Sequence, residues 1–244
     1  MSCEDVQAAF GPGHQCVETG DGARVTTHCL YPSFDPVDVF VVRNGNGFRV
    51  HDGGGAERSA WAHGRDEKMI RRMLNRHAAR HHIKVVNDVL VADAPSIDWL
   101  RAAILAVANA SANAATAVVE RVVAAAEHDL SDRVFRVLSR AFMPATIGRA
   151  SIFIGMSGKQ HEFDFVVRPS KDKTLLIDTV APHHVSIASK YVAFADTRFE
   201  DGSGIDRFAV YDRPLESSDV SLLQQVADLV PYTSLEAGLK RALI

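Results

Sequence analysis

The sequence predicts an α+β protein with a β-rich N-terminal module, a long helical spacer and a C-terminal mixed-sheet module of order αβββαβα. Three observations predict it. Short strand-forming runs separated by turn residues fill residues 24 to 52, and Asn44-Gly45-Asn46-Gly47 is a strong hairpin signal because Asn and Gly tolerate positive φ. A long Ala-rich tract with helical spacing of its apolar residues follows, opened by Pro95-Ser96-Ile97-Asp98. Beyond Leu130, three strand-like runs precede a helix, a strand and a helix. The expected boundaries are 1–94, 95–129 and 130–244.

At 244 residues, 47% hydrophobic and 23% charged, the chain has the balance of an ordinary soluble globular protein. Its net charge of -3 and pI near 6.4 exclude a global basic footprint, so any nucleic-acid contact must come from a local patch. Met1 to Gly22 is mixed and polar rather than charged-then-apolar, and the later apolar runs are broken by charges. The expectation is a cytoplasmic protein without a membrane segment. Cys3, Cys16 and Cys29 are odd in number, which predicts reduced, partly buried thiols. Interleaved with His14 and His28 they are also candidate zinc ligands, but their spacing lacks the tight cysteine pairs of a zinc motif.

In order, a short helix is expected around Asp5 to Phe10, then a Gly-rich connection, then strands at Val25 to Tyr31, Val37 to Arg43 and Phe48 to Asp52. Gly53-Gly54-Gly55 lacks the spacing of a phosphate-binding loop and reads as a flexible strand exit. Residues 65 to 82 read as an amphipathic helix, with Met69, Ile70, Met73, Leu74 and His77 on one face and Arg65, Lys68, Arg72, Arg76 and Arg80 sharing much of the other. That basic face is the candidate nucleic-acid contact, although a plain solvated face is the commoner meaning of the pattern. His77, His81 and His82 close the helix. A hairpin turned at Asn87-Asp88 follows, and the Ala-rich tract to about His128 is expected as one kinked helix or two. Its small residues make it the candidate spacer or homodimer contact.

Ser131-Asp132 is a good N-cap for a further helix that Pro144 stops. Strands are expected at 149 to 156, 160 to 168 and 174 to 181, then a helix from His183 to Asp196, a strand at Arg207 to Tyr211, a helix from Glu216 to Leu229 and a terminal helix capped by Ser234. Asp164 and Asp178 stand inside otherwise apolar strands. A buried carboxylate needs a metal, a basic partner or a solvent-filled cleft beside it.

Two stretches carry a resemblance. Leu30 to Val41, Gly47 to Gly54, the basic helix and Val85 to Leu90 are similar to an uncharacterised domain family, a domain of unknown function, of phage and bacterial proteins. Gly155 to Ala181 is similar to the second such domain that typically follows it. The C-terminal order, with an Asp in its second strand and an acid in its third, also resembles the PD-(D/E)XK nuclease core. That resemblance implies a divalent metal, Mg²⁺ for a nuclease, held by Asp164 and Asp178, with a first-helix acid at Glu127, Asp129 or Asp132. It further implies a lysine two residues after the third-strand acid, where this chain has Val180.

Three readings follow from that departure. Lys190 on the next helix or Lys159 in the turn replaces the strand lysine, giving with Asp164 and Asp178 a metal-dependent DNA endonuclease. Alternatively, the domain keeps the fold without catalysis and binds DNA or inhibits a protein partner, in the phage or bacterial-defence setting that the resemblance implies; Val180 favours this reading. In the third, both aspartates are structural and are neutralised by Arg168 or Lys173. His161, His183 and His184 are additional candidate ligands near the same strand ends. Ser157 sits in a hairpin turn rather than a strand-to-helix elbow and is no nucleophile.

Overall fold

The computed structural model describes residues 3–10, 15–63, 66–170, 172–197 and 204–242. The chain divides into two compact units, Met1–Val122 and Val123–Ile244. The fold class is the expected α+β. The unit boundary lies within the helical tract rather than on either side of a separate spacer.

In the N-terminal unit, helix α1 (Cys3–Phe10) is followed by strands β1 (Cys16–Thr19), β2 (Gly22–Leu30), β3 (Pro36–Asn44) and β4 (Gly47–His51). Helices α2 (Gly55–His63) and α3 (Glu67–Arg80) come next, then the hairpin β5 (Lys84–Val86) and β6 (Val89–Ala94). The strands form one antiparallel sheet in the order β1-β2-β3-β4-β6-β5. Val37, Val39 and Val41 of β3 alternate into a core shared with Ile70, Met73 and Leu74 of α3, while Asp38, Phe40 and Val42 between them are partly buried. β1 and α2 escaped the sequence reading. Cys3 and Cys16 form a disulfide, which corrects the expectation of three free thiols and removes both as thiolate ligands. Only Cys29 is free among the described residues, and His14 lies outside them.

The glycine triplet is not a loose exit. Gly53 and Gly54 hold φ of 59° and 74°, a region closed to most side chains, and so turn the chain straight into α2. The Asp52 side chain caps that helix, accepting from Gly54 N at 3.0 Å and Ala56 N at 3.0 Å.

Helix α4 runs unbroken from Ile97 to Ala141. Ser131 and Asp132 therefore cap nothing: Leu130, Val134 and Leu138 continue the buried stripe through them, and packing outweighs the capping preference. By length and composition α4 could cross a membrane, and 56% of its most apolar window is buried inside the protein. The small residues that suggested a dimer contact, Ala108, Ala110 and Ala114 among them, are buried in the core of their own unit.

In the C-terminal unit, strands β7 (Ile147–Ile154), β8 (Gln160–Ser170) and β9 (Lys173–Thr179) form an antiparallel meander. Helix α5 (His184–Asp196) leads to β10 (Ile205–Tyr211), which lies parallel to β9. Helix α6 (Ser217–Leu223), strand β11 (Asp228–Pro231) parallel to β10, and helix α7 (Leu235–Ala242) complete the unit. The sheet order is β11-β10-β9-β8-β7, with β11 taking the end of what the sequence suggested was a longer helix. Ser234 donates to Pro231 O instead of capping α7.

Both faces of this sheet are covered. Leu175 and Ile177 of β9 pack with Leu130, Val134 and Leu239 on one side; Leu176 and Val180 pack with Ile187 and Phe194 of α5 on the other. Two covered faces explain why β9 reads as a continuous apolar run. Alternation places Asp178 on the α5 side.

Candidate active site

The site forms where β8 and β9 part. Their ladder runs through Val167 with Leu175, Val166 with Leu176 and Phe165 with Ile177. The next position in that register sets Asp164 against Asp178, and there side chains replace the backbone bonds. Asp164 N donates to Asp178 Oδ1 at 2.9 Å, and Thr179 N donates to Asp164 Oδ2 at 2.8 Å. Each carboxylate thus satisfies a backbone donor that the separating strands would otherwise leave unpaired. The Thr179 hydroxyl adds a second bond to Asp164 Oδ2 at 2.6 Å.

Helix α5 completes the arrangement with residues four apart, which share one helix face. Ser186 Oγ donates to Glu127 Oε1 at 2.5 Å and accepts from Ala181 N at 3.0 Å. Lys190 Nζ lies 3.1 Å from Asp178 Oδ1. Val180 fills the core against α5, so the lysine reaches the acids from the helix rather than from the strand.

The electrostatics follow from burial. Asp178 is 0% exposed, and burial pushes its carboxyl up to about 7, with the Asp164 charge adding and Lys190 opposing. Burial also works against the Lys190 ammonium, but Asp178, Asp164 and Glu127 together outweigh it and raise its pKa, so the lysine stays charged.

Each acid is anchored by one oxygen. Asp178 Oδ2 is buried without a hydrogen-bond partner, and neither Asp164 Oδ1 nor Glu127 Oε2 makes a hydrogen bond among the described residues. An orphaned carboxylate oxygen this deep is costly unless something is meant to meet it. Free hard oxygens on two adjacent aspartates suit Mg²⁺, which takes one or two carboxylates and keeps several waters. Among the described residues no group of three His, Cys, Asp or Glu side chains is arranged to hold a metal, so any cation here would rest on the two aspartates alone.

The other sequence candidates fall elsewhere. Lys159 is exposed in the β7–β8 turn, and the lysine that the structure pairs with Asp178 is Lys190. Lys173 pairs with Asp206 at 3.0 Å and Arg168 is exposed, so neither neutralises the aspartates; Lys190 does. Asp129 and Asp132 pair with Arg133 and Arg149, and of the three first-helix candidates Glu127 is the one bonded to Ser186 of α5. His161 binds Asp196 at 2.6 Å, and the His183 and His184 rings contact each other at 4.3 Å between centroids, tilted by 34°. In the N-terminal unit, Lys68, Arg72, Arg76 and Arg80 are exposed on α3 as expected, and Arg65 lies outside the described residues. Sequence reasoning missed Thr179 and Ser186, whose hydroxyls carry no local signal distinguishing them from other strand and helix positions.

No protein-family model matches the chain, and no curated protein matches it. Among solved structures the chain is similar to protein VC1899 from Vibrio cholerae at 11% identity and a TM-score of 0.28, over 75% of this chain and 52% of that one. The chain spans about half the length of that protein, and a likeness at that TM-score carries no argument for fold or function.

Proposed function

We propose that the C-terminal unit is a divalent-cation-dependent nuclease whose lysine is carried on α5. The observation that supports this reading is Lys190 Nζ at 3.1 Å from Asp178 Oδ1, beside an aspartate pair that keeps one oxygen of each side chain open. Asp164 and Asp178 would hold the cation. When bound, it supplies Lewis-acid polarisation of a phosphoryl oxygen and lowers the pKa of a bound water. Lys190 holds positive charge next to the site, where charge builds on the phosphoryl oxygens, and its bond to Asp178 fixes the direction of the remaining Oδ2. Thr179 and Ser186 keep Asp164 and Glu127 from rotating. In the N-terminal unit, the exposed face of α3 with Lys68, Arg72, Arg76 and Arg80 is suited to the phosphate backbone of DNA.

Full burial of Asp178 favours the second reading, a nuclease-like fold that binds DNA or inhibits a protein partner without cutting. One experiment separates them. Incubation with plasmid and single-stranded DNA in Mg²⁺ or Mn²⁺ is expected to give cleavage that Asp164→Ala, Asp178→Ala and Lys190→Ala abolish, with calorimetric cation binding lost in the two aspartate variants. Cutting that survives in those variants overturns the site. No cutting by the wild type, together with salt-sensitive DNA retention that falls in Arg72→Ala/Arg76→Ala, leaves the binding reading in place.

A further inference from the structure

The N-terminal unit contains a polar cleft that stands apart from the cation chemistry proposed for the C-terminal unit. It measures about 480 Å³ and lies between two helix faces: His77, Arg80 and His81 from the end of α3, and Asn113, Thr116, Ala117 and Glu120 from α4. Both sets repeat at three and four residues, so each helix presents one continuous face to the cleft.

His77 distinguishes this cleft from an ordinary charged groove. The residue is only 7% exposed, and its Nδ1 is buried without any hydrogen-bond partner. An N–H at Nδ1 would have no acceptor, which favours the tautomer with the proton on Nε2 and leaves that nitrogen as the ring's donor. Burial, then the charges of Arg80 and Arg76 and the adjacent His81, hold the His77 pKa below its usual range. The neighbouring positive charges that add to the effect of burial also attract an anion. Arg80 is exposed and makes no ion pair with a carboxylate among the described residues, so its guanidinium fork is open. Thr116 and Asn113 add a hydroxyl and an amide.

We infer that this cleft binds a phosphate group, with the Arg80 guanidinium as its ionic anchor and the His77 and His81 imidazoles and the Thr116 hydroxyl as further donors. A guanidinium matches two phosphate oxygens at once, and the remaining donors are neutral or titratable groups that fix orientation. Glu120 is the one carboxylate in the lining and opposes the anion. Two sources share this chemistry: the terminal phosphate of a nucleic acid tracked by the basic face of α3, and a free phosphorylated small molecule.

The test is a titration of the full chain with inorganic phosphate at constant ionic strength, followed through the imidazole ¹H–¹³C signals of His77 and His81. Saturable shifts at both rings are expected, weakened about tenfold or more in Arg80→Ala and strengthened in Glu120→Gln. Opposite responses of two exposed residues cannot come from a general loss of fold. Binding of a 5′-phosphorylated oligonucleotide is then compared with that of its hydroxyl-terminated twin. A preference that Arg80→Ala erases assigns the nucleic-acid source, and equal binding of the two oligonucleotides alongside saturable inorganic phosphate assigns the small-molecule source. Shifts that chloride reproduces, or that Arg80→Ala leaves unchanged, overturn the site.

Discussion

Among the described residues each unit buries one aspartate, and the two are treated differently. Asp52 is 1% exposed and Asp178 is 0% exposed. Asp52 Oδ1 accepts from Gly54 N and Leu90 N, while its Oδ2 accepts from Ala56 N and the Ser111 hydroxyl, so four donors from α2, the turn before it, β6 and α4 surround it. Asp178 has two donors, Asp164 N and Lys190 Nζ, both on Oδ1, and its Oδ2 has none. A carboxylate with every lone-pair direction occupied ties structure together and has nothing left to offer a ligand. One with a vacant oxygen retains an unpaid desolvation cost that a ligand can relieve. Depth of burial is equal in the two, so the count of donors rather than depth separates a structural acid from a candidate functional one.

The sharpest way to break this comparison is to neutralise both acids. Asp52→Asn turns two acceptors into an amide facing N–H and O–H donors and should cost about 3 kcal/mol or more in urea unfolding. It should leave intact any stabilisation that Mn²⁺ gives the C-terminal unit. Asp178→Asn should abolish that stabilisation, which for the wild type is about 2.7 kcal/mol at a hundredfold excess over Kd. Equal cation responses in the two variants would remove the distinction.

A finer probe is Thr179→Val, which deletes the hydroxyl from Asp164 Oδ2 but keeps the backbone bond from Thr179 N. Cation affinity is expected to fall by about tenfold, with a stability change near 1 kcal/mol, since the threonine orients the acid without being a ligand. Calorimetric titration beside chemical unfolding reads both. A large stability loss at unchanged affinity would make Thr179 merely structural.

The smallest expected effect lies at the β7–β8 hairpin. Hydrogen bonds from the Ser157 side chain, from His161 and from Ser157 N hold the Asp196 carboxyl at about 2, below its ordinary 3.8. A depressed folded-state pKa contributes stability that is fully present above the unfolded value and is lost as pH falls through the folded one. Wild-type melting temperatures should therefore drop between about pH 4 and pH 2. In Asp196→Asn the slope across that window should be shallower, and an unchanged slope would show that the hairpin tie does not report on acid stability.

Much of this arrangement was legible in the sequence, for reasons that differ by residue. Asp164 and Asp178 stood out because charges interrupt apolar strands, and alternation alone placed Asp178 and Val180 on one face. Lys190 was visible only as one of two candidate lysines beside Lys159, because its reach depends on the packing of α5 against β9, a contact that no local pattern encodes. Helix α2 was hidden because its start is a glycine triplet, whose propensity argues against helix until Asp52 supplies the cap. The single long α4 was misread as interrupted because Ser131 and Asp132 favour a cap locally, while the buried stripe of Leu130, Val134 and Leu138 extends through them. Short edge strands such as β1 and β11 rest on neighbours distant in sequence, and four residues carry too little periodicity to announce them.

The disulfide between Cys3 and Cys16 closes a covalent ring at one end of the chain. A protease that cuts once inside that ring adds one water to the mass and sheds no peptide until a reductant is supplied. The same bond makes the chain a record of where it has been. Alkylation of freshly released protein finds one thiol if it comes from an oxidising compartment and three if it comes from a reducing one.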